Sequence, residues 1–196
     1  MYPRNRLDGL GDAIYGVSMT LLVLDIRIPD TAQVTDSAGF VTLMRSLWPH
    51  VLPYVISFAV LSSGWLSAIR VTHRNETFAP AYVLWWRPLL LLVTAMPFTT
   101  MTVARFSTVP LAVSLYAANI GLISLCTWGM LAAVDAEDAA TLARRRGSLV
   151  WLVALSLLVI ALSPWLGAWA LALYGLKRVP LLRFRASGKD VMADDG

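Results

Sequence analysis

One stretch decides how this chain folds: RLDGLGDAIYGVSMTLLVLDI, residues 6–26. As a helix rising about 1.5 Å per residue, it is long enough to cross a lipid bilayer. It nevertheless carries Arg6 and Asp12 near its start and Asp25 near its end. Charged side chains are costly in lipid, so the stretch predicts a membrane helix whose charged residues face protein or water.

An uncharged stripe follows one side of this predicted helix. At about 100° per residue, Val17, Thr20 and Leu24 fall within about 60° of one another, and Ile28 lies close to the same line. We name these four residues the first-helix stripe. Asp12 lies about 140° from Val17, so the acid and the stripe serve different surfaces. In an ordinary helix bundle such a stripe is a packing surface, and a lone threonine bonds back to a backbone carbonyl.

The composition places the whole chain in a membrane. Hydrophobic residues make up 58% of the 196 residues, charged residues only 14%, and the mean hydropathy is +0.66. A soluble domain is about half apolar and about a quarter charged. These values predict a polytopic all-α protein of the lipid bilayer with about six spans. Membrane topology accounts for the net charge of +4, so no nucleic-acid partner is expected.

The hydrophobic segments predict six transmembrane helices in one unit over residues 1–185. We expect these helices at about residues 6–27, 48–69, 81–104, 109–134, 148–162 and 165–183. The remaining residues, 186–196, are small and charged, which is typical of a mobile tail. Residues 29–46 are polar except for an amphipathic patch at 40–44, which suits a short helix on the membrane surface.

The last hydrophobic stretch, residues 148–176, has two interpretations because Ser163-Pro164 lies near its middle and the stretch is too long for one plain span. A single kinked helix would put the basic tail outside the cell. A hairpin at Ser163-Pro164 gives six helices with both termini in the cytoplasm of a cell-membrane protein. The cytoplasmic side then carries Arg4, Arg6, Arg70, Arg74, Arg87, Arg144, Arg145, Arg146, Lys177, Arg178, Arg183, Arg185 and Lys189, and the other side only Arg27, Arg45 and Arg105. The positive-inside bias therefore favours the hairpin.

The charged start of the first helix resembles a known family signature. Arg6-x-x-x-Leu10-Gly11-Asp12, followed by TLLVLDI at residues 20–26, looks like the Arg-x-x-x-Phe-Ser-Asp motif and the Thr-Leu-Leu-Val-Leu-acid-Ile tail of the transmembrane protein 175 family of potassium channels. The segments LLLVTAMPFTT at residues 90–100 and LYAANI at residues 115–120 are similar to the same family. Two features depart from its pattern: Leu10-Gly11 replaces Phe-Ser, and no histidine directly follows Trp65 of the second helix.

The resemblance implies a homotetrameric potassium channel that needs no cofactor. In that family the first helices of four pore units line the conduction path, and this chain carries one copy of the signature. The first-helix stripe would then line the pore around a central axis, with Val17 and Leu24 as apolar rings, Thr20 as the polar layer between them and Ile28 as a further pore-lining residue. The filter sequence Thr-Val-Gly-Tyr-Gly is absent, so we expect only a modest preference for potassium over sodium.

Arg6, Leu10, Gly11 and Asp12 form the structural motif that the resemblance implies. Arg6 and Asp12 are too far apart to pair across one helical turn, so we expect each to bond to another helix or subunit. A lock that fixes the rotation of the first helix is the favoured role, and a direct functional role stays open. Asp25 also has two interpretations, because four such carboxylates would concentrate cations at the outer mouth, whereas a basic partner would neutralise each one.

Other function classes have less support. A secondary transporter of a small cation or proton is the main alternative, because Gly16, Pro97 and Pro164 could mark broken helices, but the sequence has no internal repeat. Nucleophile elbows, phosphate loops, paired catalytic carboxylates and zinc-ligand spacings are absent from the sequence, so neither an enzyme nor a metal site is expected.

Overall fold

The computed structural model describes residues 2–24, 26, 28, 34–72, 77–133 and 139–176 of the chain. Nearly all of these residues are helical. The elements in chain order are β1 (Tyr2–Pro3), α1 (Arg4–Val23), α2 (Ser37–Ser46), α3 (Trp48–Thr72), β2 (Thr77–Phe78), α4 (Pro80–Arg105), α5 (Pro110–Ala132), α6 (Ala139–Leu166), a 3₁₀ helix (Gly167–Leu171) and α7 (Ala172–Leu176). Within the described residues, the fold is therefore a helical bundle with a single two-residue strand pair.

Among the described residues, four segments are long and apolar enough to cross a membrane. These segments are His50–Ile69, Pro80–Arg105, Pro110–Ala132 and Leu142–Tyr174. α1 is less apolar because its first half carries Arg6, Asp8 and Asp12. The chain is therefore a multi-pass membrane protein of the all-helical class.

α5 lies at the centre of the bundle, between α4 and α6. Ala117 and Ile120 in its middle are fully buried. Near its end, a Cβ on Gly129 would overlap the indole ring of Trp85 on α4. Because apolar surface gains little by moving from lipid to protein, small residues that allow such close approach are what hold membrane helices together.

Hydroxyl groups tie α3, α4 and α5 together inside the core. The Ser57 hydroxyl lies 2.7 Å from the Thr100 hydroxyl and 2.9 Å from the Tyr116 hydroxyl, and all three residues are buried. The Tyr116 hydroxyl also donates to the carbonyl oxygen of Pro53, and the Asn119 amide donates to the Leu92 carbonyl oxygen on α4. Buried polar groups between membrane helices must be bonded in this way, since lipid offers no partner.

The chain reverses after α6, but at Gly167 and not at Ser163-Pro164. α6 continues through Pro164 because the Ser163 hydroxyl donates to the Ile160 carbonyl oxygen at 2.9 Å, which replaces the N–H donor that proline lacks. Gly167 has φ of 53°, a left-handed conformation that favours glycine. The reversal brings Tyr174 back alongside α6, where its hydroxyl lies 2.9 Å from that of Ser156.

Several helix bounds differ from those predicted. α1 ends at Val23 and not near residue 27. Two backbone hydrogen bonds between residues three apart follow it, from Leu24 N to the Leu21 oxygen and from Ile26 N to the Val23 oxygen. α6 begins at Ala139, nine residues before the predicted start at 148, because the preceding arginines are helical too. α2 occupies the amphipathic patch, with the Asp36 side chain as its N-cap. Asp25, Arg27 and the tail at 186–196 lie outside the described residues.

The start of the chain is attached to the connection between α3 and α4. β1 pairs with β2 in antiparallel register, with Tyr2 opposite Phe78 and Pro3 opposite Thr77. Nothing in the sequence pattern predicts this pair, because each strand is only two residues long. Its effect is to hold the first turn of α1 beside the first turn of α4.

Candidate functional site

α1 has a buried face and an exposed face. Gly11, Tyr15, Ser18 and Leu22 recur at helical spacing and are buried against α3 and α4. Leu22 is the most deeply buried of them, with 1% of its surface exposed. These residues fix α1 to α3 and α4 and leave the other side of the helix uncovered by the described part of this chain.

The first-helix stripe lies on the exposed side. Val17 is 57% exposed and Leu24 is 59% exposed, while Thr20 between them is also exposed. Ile28 is exposed as well, but it lies beyond the end of α1, so the wheel that aligned it with the stripe does not apply there. The structure therefore brings Val17, Thr20 and Leu24 together on one surface and leaves Ile28 off the helix.

The hydroxyl of Thr20 is oriented by its own helix. It donates to the carbonyl oxygen of Val17 at 2.8 Å. Because a hydroxyl has one proton and two acceptor lone pairs, this bond uses the proton and leaves the lone pairs for another donor or a cation. Thr20 is thus a polar acceptor between two exposed aliphatic side chains.

Asp12 bonds to a neighbouring helix. Its Oδ1 atom accepts a hydrogen bond of 2.7 Å from the indole nitrogen of Trp65 on α3. Hydropathy alone predicts a packing role for Trp65, and no pattern in the sequence indicates that it is a donor. This bond acts on a third side of α1, between the buried face and the exposed stripe. Arg6, six residues before Asp12, is also exposed.

Leu10 and Gly11, which replace Phe-Ser of the signature, face in different directions. Leu10 is exposed, whereas Gly11 is buried under Trp86 of α4. A Cβ on Gly11 would lie 3.9 Å from the Trp86 indole nitrogen, which is ordinary van der Waals contact. From sequence, Trp86 is predicted to be an interface anchor, and its position over Gly11 follows only from the tertiary structure.

Tyr15 packs on a second glycine. A Cβ on Gly64 of α3 would lie 3.2 Å from the Tyr15 hydroxyl oxygen. This hydroxyl is buried and has no hydrogen-bond partner among the described residues. Tyr15 therefore contributes contact area to the α1–α3 interface, and its hydroxyl contributes no bond there.

The described part of the chain contains no group of three or more His, Cys, Asp or Glu side chains that could hold a metal ion. At the stripe itself, α1 exposes two aliphatic side chains and one hydroxyl.

Comparison with known proteins places this arrangement in a family. Residues 6–97 match the family model described as the endosomal/lysosomal potassium channel TMEM175. A potassium channel of Chamaesiphon minutus is 30% identical over 188 residues, which covers 86% of this chain and 91% of that protein. A potassium channel of Streptomyces collinus is 27% identical over 106 residues, which covers 54% of this chain and half of that protein.

The fold agrees with a solved structure over almost its full length. The crystal structure of a lysosomal potassium-selective channel TMEM175 homologue from Chamaesiphon minutus superposes with a TM-score of 0.75 and 26% sequence identity. The match covers 93% of this chain and 98% of that one. The match to the Chamaesiphon relative extends well beyond α1, through the helices that pack around it. The chain therefore belongs to the TMEM175 family of potassium channels.

Proposed function

We propose that this chain forms a homotetramer in the cell membrane and conducts potassium passively along a central axis lined by α1. The observation that carries this proposal is the exposed stripe of Val17, Thr20 and Leu24, on the side of α1 that its own subunit does not cover. In lipid, an exposed threonine gains nothing. On a fourfold axis, its hydroxyl would face water and ions.

The proposed pore alternates apolar and polar layers. Rings of Val17 and Leu24 would narrow the path and control it by dewetting. Four Thr20 hydroxyls between them would offer lone pairs to a partly dehydrated cation, because their protons are held by the Val17 carbonyl oxygens. A single layer of hydroxyls replaces only part of a hydration shell, so potassium should be preferred over sodium modestly.

The membrane topology that we propose has six crossings with both termini in the cytoplasm. α1 would be the first crossing, with its charged start held at the cytoplasmic end by β1 and by the Asp12–Trp65 bond. Asp25 is proposed to lie at the outer mouth, just after the end of α1. The reversal at Gly167 supports a return crossing that begins at α7.

A channel is favoured over a secondary transporter for two reasons. Both relatives are named potassium channels, and the matching crystal structure is that of a potassium-selective channel. In addition, Pro97 and Pro164, which could have marked the broken helices of a carrier, lie within continuous helices.

Reconstitution tests the proposal directly. Purified protein in liposomes with a potassium gradient should dissipate the gradient, and bilayer recordings should resolve single-channel steps. Leu24→Ala should increase the unitary conductance, because it widens an apolar ring. Leu157→Ala, which shortens an exposed leucine on α6, is the control and should leave conductance unchanged. Equal conductance in Leu24→Ala, Val17→Ala and wild type would remove these residues from the conduction path.

Selectivity provides a second readout at Thr20. Thr20→Ala removes the hydroxyl and should bring the sodium-to-potassium permeability ratio closer to one, measured from reversal potentials under bi-ionic conditions. Thr20→Ser keeps the hydroxyl and should stay near the wild-type ratio. A ratio that is the same in all three proteins would assign selectivity to another layer.

A further inference from the structure

An exposed line of residues on α6 takes no part in the proposed pore. Arg144, Gly147, Trp151, Ala154 and Leu158 are spaced alternately by three and four, so they lie above one another on the helix, and all are exposed. Trp151 is 56% exposed and Leu158 is 46% exposed. We name these five residues the α6 strip.

The face of α6 that packs in the bundle lies about 110° around the helix from the α6 strip. Leu155, Ser156 and Val159 are buried, and the Ser156 hydroxyl is bonded to Tyr174. The α6 strip therefore faces away from its own subunit, toward whatever surrounds the protein in the membrane.

The chemistry of the α6 strip changes along the helix in the order found in an anionic phospholipid. Arg144 supplies a positive charge at the basic end. Gly147 leaves open space, since a Cβ there would meet nothing within 4 Å. Trp151 suits the level of the ester groups because indoles prefer the membrane interface, and Ala154 and Leu158 are apolar.

The length of the α6 strip matches one leaflet of a bilayer. Arg144 and Leu158 are about 21 Å apart along the helix axis at about 1.5 Å per residue. Half of a bilayer, including its headgroups, is about 20–22 Å thick. A phospholipid whose phosphate lies at Arg144 would thus reach Leu158 with its acyl chain.

The neighbouring arginines differ in their roles. Arg146 belongs to the bundle, because its Nη2 donates to the carbonyl oxygen of Leu131 near the end of α5 at 3.2 Å. Arg144 is the one on the exposed line. A guanidinium has five N–H donors in a planar fork, so it can bind a phosphate in bidentate fashion while keeping a contact with the protein.

We propose that the α6 strip binds one anionic phospholipid per subunit, with its phosphate at Arg144, its glycerol region over Gly147, its ester groups at Trp151 and its acyl chain along Ala154 and Leu158. The positive charge at one end favours an anionic headgroup over a zwitterionic one. The binding does not depend on whether the chain conducts ions.

Quenching of Trp151 fluorescence by brominated lipids tests this site in the assembled protein. The signal of Trp151 is taken as the difference between a protein and the same protein with Trp151→Phe. Brominated phosphatidylglycerol should quench this signal at about one fifth of the mole fraction that brominated phosphatidylcholine needs, since one basic residue near an anionic surface is worth about fivefold in affinity.

Two variants with matched controls test separately the contribution of the Arg144 charge and that of the open space at Gly147. Arg144→Gln should abolish the preference for phosphatidylglycerol, whereas Arg105→Gln, which removes an exposed arginine at the opposite end of the bundle, should preserve it. Gly147→Leu should weaken quenching by phosphatidylglycerol at least several-fold, whereas Ala81→Leu, which adds the same bulk on exposed α4 surface, should not. Gly147→Leu keeps the arginine, so it tests the site even if Arg144→Gln fails to fold.

Three results would overturn the proposal. Equal quenching of Trp151 by both lipids in the wild type would show that the headgroup is not recognised. A preference that survives both Arg144→Gln and Gly147→Leu would place the recognition elsewhere. Absence of quenching by either lipid would show that another protein surface covers the α6 strip.

Discussion

α1 and α5 illustrate two kinds of helix in one membrane protein. α5 carries no charged residue, and most of its middle is buried between α4 and α6. α1 is buried on one face only, and it carries acids, a threonine and exposed aliphatic residues. Because a bilayer does not drive helices together by hydrophobicity, the burial of α5 reflects close packing. The polar groups on α1 require protein or water as their neighbour, and not lipid.

The difference between the two helices predicts that different residues determine stability and function. Residues of α5 and the inner face of α1 should determine whether the subunit folds. Residues on the outer face of α1, which we propose lines the pore, should determine what the protein conducts and should affect its fold little. The following substitutions test this division, beginning with the largest expected effect.

Gly129→Leu should prevent proper packing of α5. Its side chain would overlap the indole of Trp85, and overpacking against ring atoms this close costs about 3 kcal/mol. Size-exclusion chromatography in detergent should show aggregated or unfolded protein. Gly9→Ala is the control, because a Cβ at Gly9 meets nothing within 4 Å, and its elution profile should match the wild type. A well-folded Gly129→Leu protein would contradict the close contact between α4 and α5.

Leu22→Ala and Leu24→Ala compare the two faces of α1 with the same chemical change. Leu22 is 1% exposed, so its truncation should cost about 3 kcal/mol and lower the Tm of the detergent-solubilised protein. Leu24 is on the outer face, so its truncation should change the free energy of unfolding by less than about 0.5 kcal/mol while changing conductance. If both variants lose stability equally, the two faces are not distinct.

The bond between Trp65 and Asp12 should have a smaller effect, because Asp12 is exposed. Trp65→Phe keeps an aromatic ring and removes the donor, which should cost about 1 kcal/mol. A double-mutant cycle with Asp12→Ala isolates the bond, and the coupling should be of the same size. Strictly additive effects in unfolding measurements would mean that the bond contributes nothing to holding α1.

The sequence determined the helical class, the family and most helix positions, because hydropathy and the charged signature of residues 6–12 are local properties. It failed where tertiary structure supplied the deciding contact. Pro164 predicts a turn, but the Ser163 hydroxyl donates to the Ile160 carbonyl oxygen that the proline leaves without a donor. The chain therefore reverses only at Gly167. Trp65 showed no sign of its bond to Asp12, because a partner on another helix leaves no periodic pattern.

Two buried tyrosines, one on α5 and one on α1, allow the comparison with the smallest expected changes in stability. The Tyr116 hydroxyl on α5 bonds to Ser57 and to the Pro53 carbonyl oxygen, so Tyr116→Phe should cost about 1 kcal/mol. The cost stays small because Ser57 can still donate to Thr100, which donates to the Met96 carbonyl oxygen.

Tyr15→Phe on α1 should stabilise the protein or leave its stability unchanged. The Tyr15 hydroxyl is buried without a partner among the described residues, and an unsatisfied buried hydroxyl destabilises by about 1–3 kcal/mol, so its removal should raise the Tm or leave it unchanged. Thermal unfolding of both variants in the same detergent makes the comparison. An equal loss of stability in both would mean that the Tyr15 hydroxyl has acquired a partner in the assembled protein, such as a buried water. The inner face of α1 would then be held by a polar bond, as α5 is, and the contrast between the two helices would be confined to the outer face of α1.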